Sequence, residues 1–125
     1  MRLVECIPNF SEGRDKKKID EIVNEIKKIN GVRLLDVSPD YDHNRTVVTF
    51  LGEPEAVVEA AYGACAKASE IIDMSRHTGE HPRMGATDVI PFVPVKEVTM
   101  GDCIELAKKL GAKIGENLHI PVYLY

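Results

Sequence analysis

Val32-Arg33-Leu34-Leu35-Asp36-Val37 and Arg45-Thr46-Val47-Val48-Thr49-Phe50-Leu51 flank the polar stretch Ser38-Pro39-Asp40-Tyr41-Asp42-His43-Asn44. Two short runs rich in Val, Leu, Thr and Phe, separated by Pro, Asp and Asn, read as paired strands and their connecting loop. On the N-terminal side, Ile19, Ile22, Val23, Ile26 and Ile29 recur at helical spacing. Asp15 stands where an N-cap belongs, and Asn30-Gly31 closes the segment, glycine supplying a left-handed residue. On the C-terminal side, Glu53-Pro54-Glu55 opens a second helix. Proline fits the first turn and acids suit the positive end of the dipole. Its inner stripe is Val57, Ala61, Cys65, Ala68 and Ile72. Such small side chains imply close packing on a sheet.

Farther out, Val4-Glu5-Cys6-Ile7 reads as a strand ended by Pro8 and Asn9. Asp88 to Val95 reads as another, which Pro91 and Pro94 demote to an edge or a bulged strand. The order β-α-β-β-α-β is the split-βαβ, ferredoxin-like pattern. A third helix follows, capped by Thr99 with Asp102 in capping-box position and facing inward through Cys103, Ala107, Leu110 and Ile114. A last strand is expected over Ile120 to Tyr125. The fold class is therefore α+β, one domain over residues 1–125. The expected architecture is a two-layer sandwich with helices on one face of a mixed sheet. Val47, Val48, Phe50 and Leu51 lie close together, as do Val89, Ile90, Phe92 and Val93, so both sheet faces are expected to carry apolar side chains. That predicts a homodimer through the bare sheet face, or a second half-domain covering it.

At 125 residues the chain can bury one core without metal or disulfide staples. Its formal charge of -4 argues against nucleic acid or an anionic membrane as partner. Glu5 interrupts any leader-like start, and no run approaches the roughly 20 apolar residues of a membrane span. Cys6, Cys65 and Cys103 are odd in number and lack a CxxC spacing, as expected of buried thiols in a reducing cytoplasm.

Three segments concentrate polar residues that a core does not need: Pro8 to Gly13, Asp42 to Arg45, and His77 to Gly85. His77-Thr78-Gly79-Glu80-His81 spells H-x-x-E-H, a zinc pattern that works on a helix. Gly79 and Pro82 oppose a helix, so no metal is expected. Two readings stay open: a solvated surface loop, or an imidazole flanked by an acid and an arginine and suited to proton transfer. His43 is expected in solvent, and His119 at the end of the third helix. Arg45 is either an edge charge or a carboxylate clamp. Asn9, Ser11 and Asn44 are either turn formers or ligand contacts.

Val4-Glu5-Cys6-Ile7-Pro8-Asn9-Phe10-Ser11-Glu12-Gly13 resembles the opening of the glutamate formimidoyltransferase family. The resemblance continues through Leu34 to Val37, Asn44 to Val47 and Phe50 to Gly52. It is strongest in Gly79-Glu80-His81-Pro82-Arg83-Met84-Gly85-Ala86-Thr87-Asp88, continues in Pro91 to Val95, and ends with Pro121 to Tyr125. It implies transfer of a formimino group from N-formimino-L-glutamate to tetrahydrofolate, a step of histidine degradation and one-carbon metabolism. It implies two ferredoxin-like halves with folate in a tunnel between them, of which this chain matches the first. The family's catalytic histidine falls on His81. Asn9, Ser11, Asn44, Arg45, Glu80 and Arg83 become the substrate-binding candidates. Tetrahydrofolate is the acceptor substrate, and no metal is needed, because the group arrives activated as an amidine. Some members carry an important acid where Ser38 stands, and Asp40 or Asp42 are candidate substitutes. The rival expectations are a non-catalytic folate- or amino-acid-binding half-domain, and a fragment of a longer two-half transferase.

Overall fold

Alternation along the strands decides which way the chain packs. The computed structural model describes residues 1–72, 85–120 and 122. Its elements are β1 (Leu3–Cys6), β2 (Asn9–Phe10), α1 (Lys16–Lys27), β3 (Val32–Asp40), β4 (Arg45–Gly52), α2 (Pro54–Ile71), β5 (Thr87–Val89), β6 (Phe92–Lys96) and α3 (Met100–Leu118). Val4, Cys6, Phe10, Thr46, Val48 and Phe50 are buried, while the residues between them in the strands are only half-buried. The buried set packs with Ile19, Ile22, Val23 and Ile26 of α1, the small residues of α2, and Cys103, Leu106, Leu110 and Ile114 of α3. All three helices therefore share one face of the sheet. The inner face of α3 uses Leu106, with Ala107 only half-buried.

The two faces are more distinct than the apolar runs suggest. Val47 and Val48 are neighbours in sequence, but the pleat sends one to each face. The helix-free face still carries Val93 and Val95, 39% and 51% exposed.

The sheet runs β5-β2-β4-β1-β6, with β3 on the other side of β4. β1 and β2 are one ribbon broken at Ile7-Pro8, and β5 and β6 are one broken at Ile90-Pro91. The breaks are stitched, because Ile7 N–H donates to the Pro91 carbonyl at 3.1 Å and Val48 N–H donates to the Pro8 carbonyl at 3.1 Å. Every described pairing is antiparallel. This corrects the expectation of a mixed sheet. Each helical crossover skips one strand, so strands that run parallel are never neighbours here. β4 lies between the first ribbon and β3, and the first ribbon lies between β4 and the last.

Other boundaries shift for local reasons. Asn9 and Phe10 form a strand where a loop is expected. Helix α1 ends at Lys27, with Lys28 as its cap, while Gly31, at φ 88°, starts the turn into β3. β3 extends through Ser38, Pro39 and Asp40, which pair with Val47, Thr46 and Arg45. Pro39 is tolerated because β3 pairs only with β4 among the described residues, so its missing N–H breaks no second ladder. The strand expected at Ile120 to Tyr125 lies largely outside the described residues.

Candidate functional site

The segment after β2 is anchored by its own side chains. Ser11 is buried, and its Oγ donates to the Gly85 carbonyl at 2.6 Å. Its N–H donates to the Ala86 carbonyl at 2.8 Å. Thr46 Oγ1 donates to the Glu12 carbonyl at 2.5 Å, and Gly13 N–H donates to Asn44 Oδ1 at 2.9 Å. Asn44 sits at φ 50°, a left-handed conformation that a short polar side chain tolerates. A Cβ on Gly13 would lie 2.5 Å from the Arg45 carbonyl oxygen and 2.6 Å from its nitrogen, with the Asp40 carbonyl also inside contact. Only glycine lets this segment lie against the hairpin end. Arg14 Nε donates to the Tyr41 carbonyl at 2.9 Å, and its guanidinium lies 4.9 Å from the Tyr41 ring centre.

These contacts bring three separate stretches of sequence together: Asn9 to Arg14, Asp40 to Thr46, and the Gly85-Ala86 pair. Ser11, Asn44 and Thr46 turn towards the anchoring contacts. Asn9, Ser38, Asp40 and Arg45 lie on the helix-free face, where Asn9 and Ser38 both pair with Val47, and Asp40 pairs with Arg45.

Asp40 is the electrostatic centre of this edge. His43 N–H donates to its Oδ1 at 3.2 Å, and His43 Nδ1 lies 2.7 Å from its Oδ2. An ionised carboxylate only accepts, so the imidazole proton at this contact sits on Nδ1. The backbone hydrogen bond from His43 holds the Asp40 carboxyl below its usual range, with further help from the His43 ring and the Arg45 charge. Arg45 Nε forms a loose ion pair with Asp40 Oδ2 at 3.8 Å, beyond hydrogen-bond reach, and among the described residues it is buried without a hydrogen bond. A buried donor left unmade costs on the order of 1–3 kcal/mol. The side chain as a whole is 36% exposed, and a guanidinium suits a planar oxygen anion.

His43 is thus half-buried and paired with an acid, not a solvent-facing ring, which corrects the expectation from its polar loop. The available signal was Asp-x-x-His across a turn, because an aspartate readily accepts from backbone N–H groups just ahead of it. His77, Glu80, His81 and Arg83 lie outside the described residues. Gly85, the first described residue after them in sequence, accepts from Ser11 Oγ. Cys6, Cys65 and Cys103 are buried, and desolvation raises all three thiols. Among the described residues no group of three or more His, Cys, Asp or Glu could hold a metal ion, and no helix is long and apolar enough to cross a membrane.

The chain matches the family model described as formiminotransferase domain, N-terminal subdomain, over residues 3–125. It is 52% identical over 125 residues to a glutamate formimidoyltransferase of Thermoplasma acidophilum, covering 100% of this chain and 41% of that protein. It is 54% identical over 124 residues to a formimidoyltransferase-cyclodeaminase of Mus musculus, covering 99% of this chain and 23% of that protein. A formiminotransferase cyclodeaminase-like protein of Arabidopsis thaliana is 29% identical over 125 residues, with 96% of this chain and 42% of that protein covered. The chain thus spans well under half the length of these curated relatives.

Proposed function

The chain belongs to the formiminotransferase family as its N-terminal subdomain, and from that premise we propose that it supplies one part of a site for formimino transfer. The donor is N-formimino-L-glutamate and the acceptor tetrahydrofolate, which places the reaction in histidine degradation and one-carbon metabolism. The observation that carries this reading is the double hydrogen bond of Ser11 to Gly85 and Ala86. Gly85 follows His81 by four residues in sequence, and the bonds join the Asn9 to Gly13 segment to Gly85 and Ala86. The strand order, with the first ribbon and β4 central and all neighbours antiparallel, supports a ferredoxin-like assignment.

The chemistry asks for two proton movements. The amine of tetrahydrofolate loses a proton as its nitrogen bonds to the formimino carbon. The glutamate nitrogen gains one as its bond to that carbon breaks. One neutral imidazole, His81, takes the first proton and returns it in the second step. Glu80 fixes its tautomer or holds the substrate ammonium. Arg45 and Arg83 receive substrate carboxylates, and Asn9, Ser11 and Asn44 shape the floor beneath them.

The test is His81→Ala in a protein carrying this chain and its second half, read as formation of formiminotetrahydrofolate. Loss of roughly 100- to 10,000-fold in turnover with retained folding is expected. Near-wild-type turnover overturns the assignment of His81. The rival reading is a half-domain that binds folate or an amino acid without turnover. Saturable tetrahydrofolate binding by the chain, with no transfer once the second half is supplied, selects it.

A further inference from the structure

We propose that His43 holds the Asp40 carboxylate away from Arg45, so that the Arg45 guanidinium stays open to the carboxylate of a glutamate-bearing ligand. The ligand class rests on the proposed function above. The positioning role of His43 does not.

Asp40 and Arg45 are directly opposed across the β3–β4 ladder, on the same face. Oppositely charged cross-strand neighbours attract, and an arginine and a carboxylate left to themselves close into a fork at roughly 2.7–2.9 Å. Here Arg45 Nε stands off at 3.8 Å. Both Asp40 oxygens are already engaged, Oδ1 by the His43 N–H and Oδ2 by the His43 ring. The turn that delivers His43 is itself fixed, since Asn44 accepts from Gly13 N–H and Gly13 abuts the backbone of Asp40 and Arg45. His43 is therefore placed to outcompete Arg45 for Asp40. Among the described residues the buried Arg45 Nε makes no hydrogen bond, while the Arg45 side chain as a whole is 36% exposed. A planar two-oxygen acceptor matches the donor geometry of a guanidinium. Arg45 belongs to the binding machinery, and His43 and Asp40 act through it as positioning residues.

The experiment follows the Arg45 side-chain Nε–H resonance in the 125-residue chain, without ligand and with L-glutamate as the probe. In His43→Leu without ligand, the resonance moves downfield and exchanges more slowly as Arg45 closes on Asp40. An unchanged resonance overturns the proposal. With L-glutamate, the wild-type resonance shifts saturably, and His43→Leu binds about fivefold more weakly, the scale of one exposed ion pair. Equal affinity, or no wild-type shift, overturns it. His43→Asn keeps a donor to Asp40 and retains affinity. In His43→Leu with Asp40→Asn, affinity returns, because no acid remains to capture Arg45. Should His43→Leu fail to fold, His43→Ala, which removes the ring and keeps the backbone N–H, takes its place, with the same shift and loss of affinity expected and an unchanged resonance and affinity overturning the proposal. Absence of formimino transfer alongside these shifts counts against the proposed function and leaves this arrangement standing.

Discussion

Gly13 shows how much of this site depends on single atoms. Its N–H serves Asn44 Oδ1, and its missing side chain leaves room for the backbone of Asp40 and Arg45. Gly13→Ala forces main chain apart on both sides, and overpacking of this kind destabilises by about 2–3 kcal/mol. We expect a urea midpoint lowered accordingly, with the Asp40–His43 contact loosened in the same variant. An unchanged midpoint would show that the hairpin end yields freely. The sequence marked Asn9, Ser11, Asn44 and Arg45 as residues a core does not need. It left open whether the first three were turn formers or contacts. Ser11 and Asn44 prove to anchor backbone across the site, and Asn9 to sit in the sheet. The Asp40–His43 pair was missed, because Ser38 to Asn44 reads as uniform polar loop until β3 is seen to run through Asp40.

Among the elements, α3 had its start spelled out in both members of its capping box. Thr99 Oγ1 accepts from Asp102 N–H at 3.0 Å, and Asp102 Oδ2 accepts from Thr99 N–H at 2.9 Å, closing the capping box. Thr99→Ala should cost about 1 kcal/mol of unfolding free energy at neutral pH. The Asp102 carboxyl is held below its usual range, first by the Thr99 backbone N–H and then by the Thr99 side chain. A carboxyl depressed in the fold stabilises above its unfolded value and loses that contribution as pH falls through the folded one. Asp102→Asn should therefore flatten part of the stability lost on acidification and leave the Cys103–Ile114 face intact. Parallel urea titrations at neutral and acid pH measure this, and identical acid slopes would contradict it. The strands were less legible. Pro8 and Pro91 each split one ribbon in two, and the pieces are held together by hydrogen bonds between residues far apart in the chain.

Across the whole molecule, the helix-free face combines Leu3, Ile7, Val47 and Leu51 with Glu5, Asn9, Thr49 and Arg45, all half-buried. Val93 and Val95 extend its apolar area at the edge. Soluble monomers seldom leave contiguous apolar patches of several hundred Å² uncovered. We expect the chain by itself to pair through this face at micromolar concentration, an isologous contact letting one patch cover itself. Light scattering should return the mass of two chains, and Leu51→Lys should halve it. A monomer in the unmodified chain would refute this.

The sequence alone determined the helices, their caps and the hairpin, because these follow from 3.6-residue spacing, from proline and glycine at element ends, and from side chains that bond within a few residues. Asp15, Thr99 and Pro54 announced where helices begin for that reason. The quoted motifs also carried the family, since their agreement extends over the whole chain. Only the tertiary structure decided that the sheet is antiparallel among the described residues, that Asn9 and Arg45 share its open face, and that His43 engages Asp40. Strand order and face are set by which ribbons meet across long separations. An isolated strand of period two fits either neighbour and either face until the helices bury one side.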